Sequence, residues 1–179
     1  PMLAEVISGS IGLLDAVTPI PRLLRRTKLH VRDVEEVDLQ EKVVRTSPGF
    51  IPRPHFVPYD YLVLAMGTVT PFSGMPGMPE HAIPFKNLGD ALYIRNHAIR
   101  AIEEADIETD PKLRQELLTF VIAGGGFSGV ECAADLNDFL RDISRRHYDT
   151  VGPEDVRVIL LHSQDRVLPE VGEKLGMKV

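Results

Sequence analysis

Gly124-Gly125-Gly126-Phe127-Ser128-Gly129 decides how this chain is read, because it fits the spacing G-x-G-x-x-G and opens a helix directly after an apolar strand. In that pattern the first glycine permits a tight turn, the second lets backbone approach a pyrophosphate, and the third lets the helix pack closely on the strand. Amide groups at the helix start, with the positive end of its dipole, hold phosphate charge without any cationic side chain. Upstream, Leu117 to Ala123 is an apolar run of strand length, read as a buried strand. Downstream, Phe127 to about Arg145 carries Cys132, Leu136, Phe139, Leu140 and Ile143 on one stripe. Gly152-Pro153 breaks that helix, and Val156 to Leu161 completes a strand, helix, strand unit with the pairing and hand usual for such crossovers. Gly124, Gly126, Phe127, Ser128 and Gly129 are therefore the candidate dinucleotide-binding positions. The bland alternative is a structural turn that happens to be rich in glycine.

One element of the fingerprint departs from expectation. The second strand of such a unit ordinarily ends in an acid that accepts hydrogen bonds from the adenosine ribose hydroxyls. Here it ends at His162-Ser163, Asp165 lies three residues beyond His162, and His162 comes 33 positions after Gly129. The choice between NADH and NADPH is left open. Arg166 reads as a solvated surface charge, with contact to a 2'-phosphate as the alternative. Glu131, two residues past the last glycine, is placed in the first helical turn, where it either compensates the dipole or sets a polar group near the nicotinamide. Cys132, on the apolar stripe, reads as a core thiol rather than a redox nucleophile.

Working outward, Asn87-Leu88-Gly89-Asp90 is a helix cap, followed by Leu88, Ala91, Leu92, Ala98, Ile99, Ile102 and Ala105 at helical steps. Asp110-Pro111 starts a second, short helix. Between Pro71 and Pro84, four Pro and two Gly among 14 residues leave no room for a regular element, and the domain boundary is placed there. Residues 29–67 are rich in Val, with turn signals at Ser47-Pro48-Gly49 and from Pro52 to Pro58, predicting an antiparallel hairpin region that feeds one more strand, Tyr59 to Gly67. Its apolar run Leu62 to Ala65 predicts burial on both faces, as inside a parallel sheet.

Composition bounds the rest. With 179 residues, 44% apolar content and a net charge of -6, the chain is neither disordered nor a basic nucleic-acid binder. A single Cys excludes an internal disulfide framework, and with no signal-peptide pattern at the start a reducing cytoplasmic setting is the default. The basic cluster Arg22, Arg25, Arg26 and Lys28 reads as a solvated helix end, His147 as a surface group, and the six His show no metal spacing. The start at Pro1 and the end at Lys178-Val179, within an expected helix, are read as those of a segment from a longer protein.

Together these stretches resemble the type II NADH dehydrogenases, flavoproteins of the two-dinucleotide-domain superfamily. Pro1 to Gly9 looks like the segment near the isoalloxazine, Val34-Glu35-Glu36-Val37-Asp38 like the strand turn beside the FAD adenine, and Tyr59 to Gly67 like the second flavin motif. The resemblance implies that Val34, Ala65 and Gly67 approach FAD, that Gly124 to Glu131 is the NADH loop with Glu131 close to the nicotinamide, and that His162 stands where a ribose-binding Glu is usual. It implies an α/β fold: a Rossmann-like parallel sheet with flanking helices, plus a partial flavin-domain region with an antiparallel β hairpin. The corresponding domains are 1–75, a partial FAD-binding domain, and 76–179, an NAD(P)H-binding domain. The implied reaction is hydride transfer from NADH to FAD and then to a quinone, with FAD and NAD(H) as cofactors and no acid–base catalyst in this chain. The first glycine motif is expected to precede Pro1, and the quinone-side and peripheral membrane-anchoring parts to follow Val179. A homodimer is left open. The chain alone is expected to bind NAD(H), to hold FAD poorly and not to turn over. The alternatives are another reductase of the superfamily, a non-catalytic NAD(H)-binding module, or a fragment whose loop binds nothing.

Overall fold

The computed structural model describes residues 2–70, 72 and 75–172. They form two compact units, Pro1–Val17 with Val69–Val179, and Thr18–Thr68. The sequence boundary at 75/76 divides the chain differently, since helix α1 (Leu3–Ser8) packs with the C-terminal part. Its Val6 and Ile7 are buried in the same apolar cluster as Ala98, Ile102, Leu136 and Leu140. Arg95 fixes that placement by donating to the Ile7 carbonyl at 2.9 Å while its guanidinium lies 4.6 Å over the Phe139 ring.

In the larger unit the three longest helices begin where the sequence predicts. Helix α4 (Leu88–Ile107) is opened by a capping box: the Asn87 side chain accepts from the Asp90 N–H, and the Asp90 carboxylate accepts from the Asn87 N–H. Such a cap contributes about 0.5–2 kcal/mol. Asp110 caps α5 (Pro111–Leu117) by accepting from the Lys112 and Leu113 N–H groups. Strand β4 (Thr119–Ala123), helix α6 (Phe127–His147) and strand β5 (Arg157–Leu161) follow in order. The two strands pair in parallel, Thr119 opposite Arg157 through Ala123 opposite Leu161, so α6 is the crossover of a βαβ unit. Cys132, Leu136, Phe139 and Leu140 are buried along α6, on the stripe the periodicity selects. Leu140, Ile102 and Val156 are wholly enclosed, at about 1.5–3 kcal/mol for each large apolar side chain.

The smaller unit holds a short helix α2 (Ile20–Leu23) and an antiparallel three-stranded sheet of β1 (Val34–Asp38), β2 (Val43–Thr46) and β3 (His55–Pro58), in that order. The β1–β2 turn is tied by the Asp38 carboxylate, which accepts from the Gln40 and Glu41 N–H groups at 2.8 Å each. Pro58 is tolerated because β3 is an edge strand.

Three expectations are corrected. Tyr59 to Gly67 is not a strand, and its apolar residues are not buried: Val63 is 85% exposed. An interior strand exists through neighbours on both edges, and among the described residues no segment pairs with this one. For the same reason β4 is only half covered, with Val121 56% exposed on the face away from α6. The proline-rich stretch carries one turn of helix, α3 (Met78–His81), because its Pro79 falls in the first turn, where a missing N–H costs nothing. The helix expected to run into Lys178-Val179 lies outside the described residues.

Candidate dinucleotide-binding site

Each glycine of the loop between β4 and α6 has a distinct structural reason. Gly124 has φ +125, a conformation L side chains rarely adopt, and its N–H donates to the Leu161 carbonyl at 2.8 Å. A Cβ on Gly129 would overlap the Gly124 carbonyl oxygen and sit 2.9 Å from its carbon, so the start of α6 can approach the loop only as glycine. Gly126 differs. Its φ of -78 suits any residue, and among the described residues a Cβ there would meet only the Glu170 Oε1, at 3.5 Å. What Gly126 preserves is open space beside the backbone.

That space adjoins the free end of α6. Gly126 makes no side-chain cap, and the first intrahelical bond runs from the Val130 N–H to the Gly126 carbonyl. Among the described residues no acceptor takes the N–H groups of Phe127, Ser128 or Gly129. Phe127 and Ser128 are exposed. A 21-residue helix with its first amides uncapped, beside a glycine that needs no room for itself, fits a diphosphate by both partial charge and shape.

The middle glycine, Gly125, carries a function that spacing does not reveal. Its N–H donates to His162 Nδ1 at 3.1 Å, its carbonyl accepts from the Leu168 N–H at 2.7 Å, and a Cβ would come 2.6 Å from the imidazole ring. Because Nδ1 accepts, the proton of the neutral ring sits on Nε2, which is buried and finds no partner among the described residues. His162 therefore turns under the glycine loop. Leu168, left-handed at φ +51 and buried, braces the same loop from the segment after β5. Three glycines in succession were the available signal; the partners lie about forty positions away and only tertiary structure supplies them.

The remaining candidates resolve as follows. Glu131 is the fifth residue of α6, exposed and beyond the first turn, so dipole compensation loses its basis and the correction follows from the helix starting at Phe127. Arg166 is half-buried rather than freely solvated, and its guanidinium is tied back by donating to the Val171 and Pro169 carbonyls of its own loop. Cys132 is buried, and burial together with the Asp135 carboxylate pushes its thiol up to about 11, which leaves it inert. Glu170 at the mouth was not foreseen. Val34, Ala65 and Gly67 belong to the smaller unit: Val34 and Ala65 are exposed, and Gly67, at φ +70, has no described atom within 4 Å of where a Cβ would be. Gly67 thus offers bare backbone of the kind a flavin could approach. The described residues hold no cluster of His, Cys, Asp and Glu fit for a metal ion, and no helix among them is long and apolar enough to cross a membrane.

The family model described as pyridine nucleotide-disulphide oxidoreductase matches residues 7–179. A type II NADH:quinone oxidoreductase of Mycobacterium tuberculosis is 32% identical over 182 residues, covering 99% of this chain and 38% of the relative. An external alternative NADH-ubiquinone oxidoreductase of Yarrowia lipolytica mitochondria is 32% identical over 184 residues, covering 98% of this chain and 31% of its own length. Among solved structures, NDH2 from Plasmodium falciparum in complex with NADH superposes with a TM-score of 0.86 at 21% identity, over 99% of this chain and 37% of that one. The chain thus spans about a third, 31–38%, of the length of these curated relatives.

Proposed function

The chain belongs to the pyridine nucleotide-disulphide oxidoreductase family, and from that premise we propose that it forms the nucleotide-binding part of an FAD-dependent NADH:quinone oxidoreductase. The observation that carries this reading is the uncapped start of α6 beside Gly126. Phe127, Ser128 and Gly129 present their amide groups to the NADH diphosphate, Gly124 makes the turn that aims them, and Gly126 leaves room for the phosphate oxygens. Glu131, one turn further along α6, lies toward the nicotinamide. In the smaller unit, the backbone at Val34, Ala65 and Gly67 meets FAD. FAD, held against the backbone at Val34, Ala65 and Gly67, would supply the redox chemistry that links NADH to a quinone. The residues of this chain bind and orient, which is where positional catalysis resides, and none is assigned a proton transfer. Quinone reduction places the whole protein at a membrane surface as a peripheral protein.

Adding NADH and a soluble quinone to the whole protein tests the proposal. Oxidation of NADH coupled one-to-one to quinone reduction is the expected result. Nucleotide binding without turnover would instead identify a non-catalytic NAD(H)-binding module.

A further inference from the structure

The tip of β5 is the place where a βαβ nucleotide site reads the adenosine ribose. A carboxylate there accepts from the ribose hydroxyls and repels a 2'-phosphate, so it selects NAD(H) over NADP(H). The position next after β5 is His162. Its acceptor nitrogen is already engaged by the Gly125 N–H at 3.1 Å, and its other nitrogen is buried. The ring therefore presents neither negative charge nor a free acceptor to a ribose. Ser163 is neutral, and Asp165 lies in the exposed bend beyond it. Arg166, the cation next after β5 among the described residues, is tied back into its own loop, where both terminal nitrogens donate to the Val171 and Pro169 carbonyls. With no carboxylate at the tip of β5 and Arg166 held in its own loop, the described residues of this end read the 2'-position weakly in either direction.

We propose that His162, turned back under Gly125, makes the nucleotide site indifferent to a 2'-phosphate, so that it takes NADPH and NADH alike. This rests on the dinucleotide-binding reading of the loop and adds the specificity of its adenosine end.

Calorimetric titration of the whole protein with NAD+ and NADP+, which bind without transferring hydride, tests it. Two dissociation constants within about tenfold of each other support the proposal, and a wider preference for either nucleotide overturns it. In His162→Glu the restored carboxylate is expected to weaken NADP+ relative to NAD+ by about tenfold or more, the effect of placing like charges together. An unchanged ratio in that variant overturns the proposal. In His162→Gln the side-chain amide oxygen can still accept from the Gly125 N–H without bringing charge, and the ratio of the parent protein is expected. Discrimination by the glutamine variant as strong as by the glutamate one would show that charge is not the cause and would also overturn it. Binding of neither nucleotide by the unaltered protein removes the dinucleotide reading itself, whereas tight NAD+ with weak NADP+ removes only the indifference.

Discussion

Replacing Gly126 by Ala separates what the loop needs to fold from what it needs to bind. The backbone there sits at φ -78 and ψ -179, ordinary for an L residue, and among the described residues the new methyl group would have only the Glu170 Oε1 near it, at 3.5 Å. Nothing among the described residues resists the change. Because alanine also narrows the unfolded ensemble, stability is expected to hold or to rise by about 0.4–1 kcal/mol. Binding should move in the opposite direction. The methyl group occupies the side on which a phosphate oxygen must come within about 2.7–2.9 Å of the amide groups of α6, where a carbon atom requires about 3.5 Å. Displacing the diphosphate by that difference weakens its amide bonds, at about 1.5–3 kcal/mol for a hydrogen bond to a charged group. NADH affinity is therefore expected to fall by about tenfold or more, measured by calorimetry beside a thermal melt of the same sample. A variant that melts at or above the parent temperature and binds NADH equally well would refute the placement of phosphate against Gly126.

Three further outcomes follow from the same geometry. Gly129→Ala brings a methyl group into the Gly124 carbonyl, so α6 must shift away from the loop; a loss of about 1–3 kcal/mol is expected in denaturant unfolding, together with weaker NADH binding, and an undiminished midpoint would contradict the close packing. Glu170→Gln removes an exposed negative charge from the mouth of the site; NADH should bind more tightly, by no more than about fivefold because solvent screens the interaction, and the gain should vanish in high salt. Cys132, raised to about 11 by burial and then by Asp135, should react with a thiol reagent only as fast as the native structure opens. Its neutral form favours the folded state, so this contribution is complete below the ordinary thiol value and lost as pH rises from 9 to about 11, at most about 3 kcal/mol at 1.4 per unit; unfolding free energies of the parent and Cys132→Ala should converge across that window.

What was legible in the sequence was local or periodic. Asn87 and Asp110 announced their helices because a cap is satisfied by amides two or three residues away. The stripe from Cys132 to Leu140 was visible because burial on one face of a helix repeats with the turn. Pattern misled where burial depends on a neighbour. Leu62 to Ala65 has the composition of an interior strand, but strandness lies in pairing, and no described segment offers its edge. In the loop, the spacing identified the three glycines of the motif while saying nothing of Gly125, whose need for a bare α-carbon is imposed by the His162 ring.

His162 shows why the missing acid was visible but its consequence was not. Sequence alone registers a substitution at the tip of β5, which is compatible with a histidine reaching toward a ligand or with one that has no role. The hydrogen bond from the Gly125 N–H settles between these, since an imidazole nitrogen that accepts from backbone cannot accept from a ribose hydroxyl at the same time. The same bond couples the two halves of the site: the group that ought to read the adenosine end now holds the backbone of the phosphate loop. His162→Ala should consequently reach further than a lost specificity contact. With the Gly125 N–H left without its acceptor, at about 1–3 kcal/mol if it stays buried, the loop is expected to loosen. Exchange of the Gly125 amide hydrogen should then accelerate, and both NAD+ and NADP+ should bind more weakly by a similar factor. A selective loss of one nucleotide would instead place the imidazole against the ribose and undo the coupling argued from this bond.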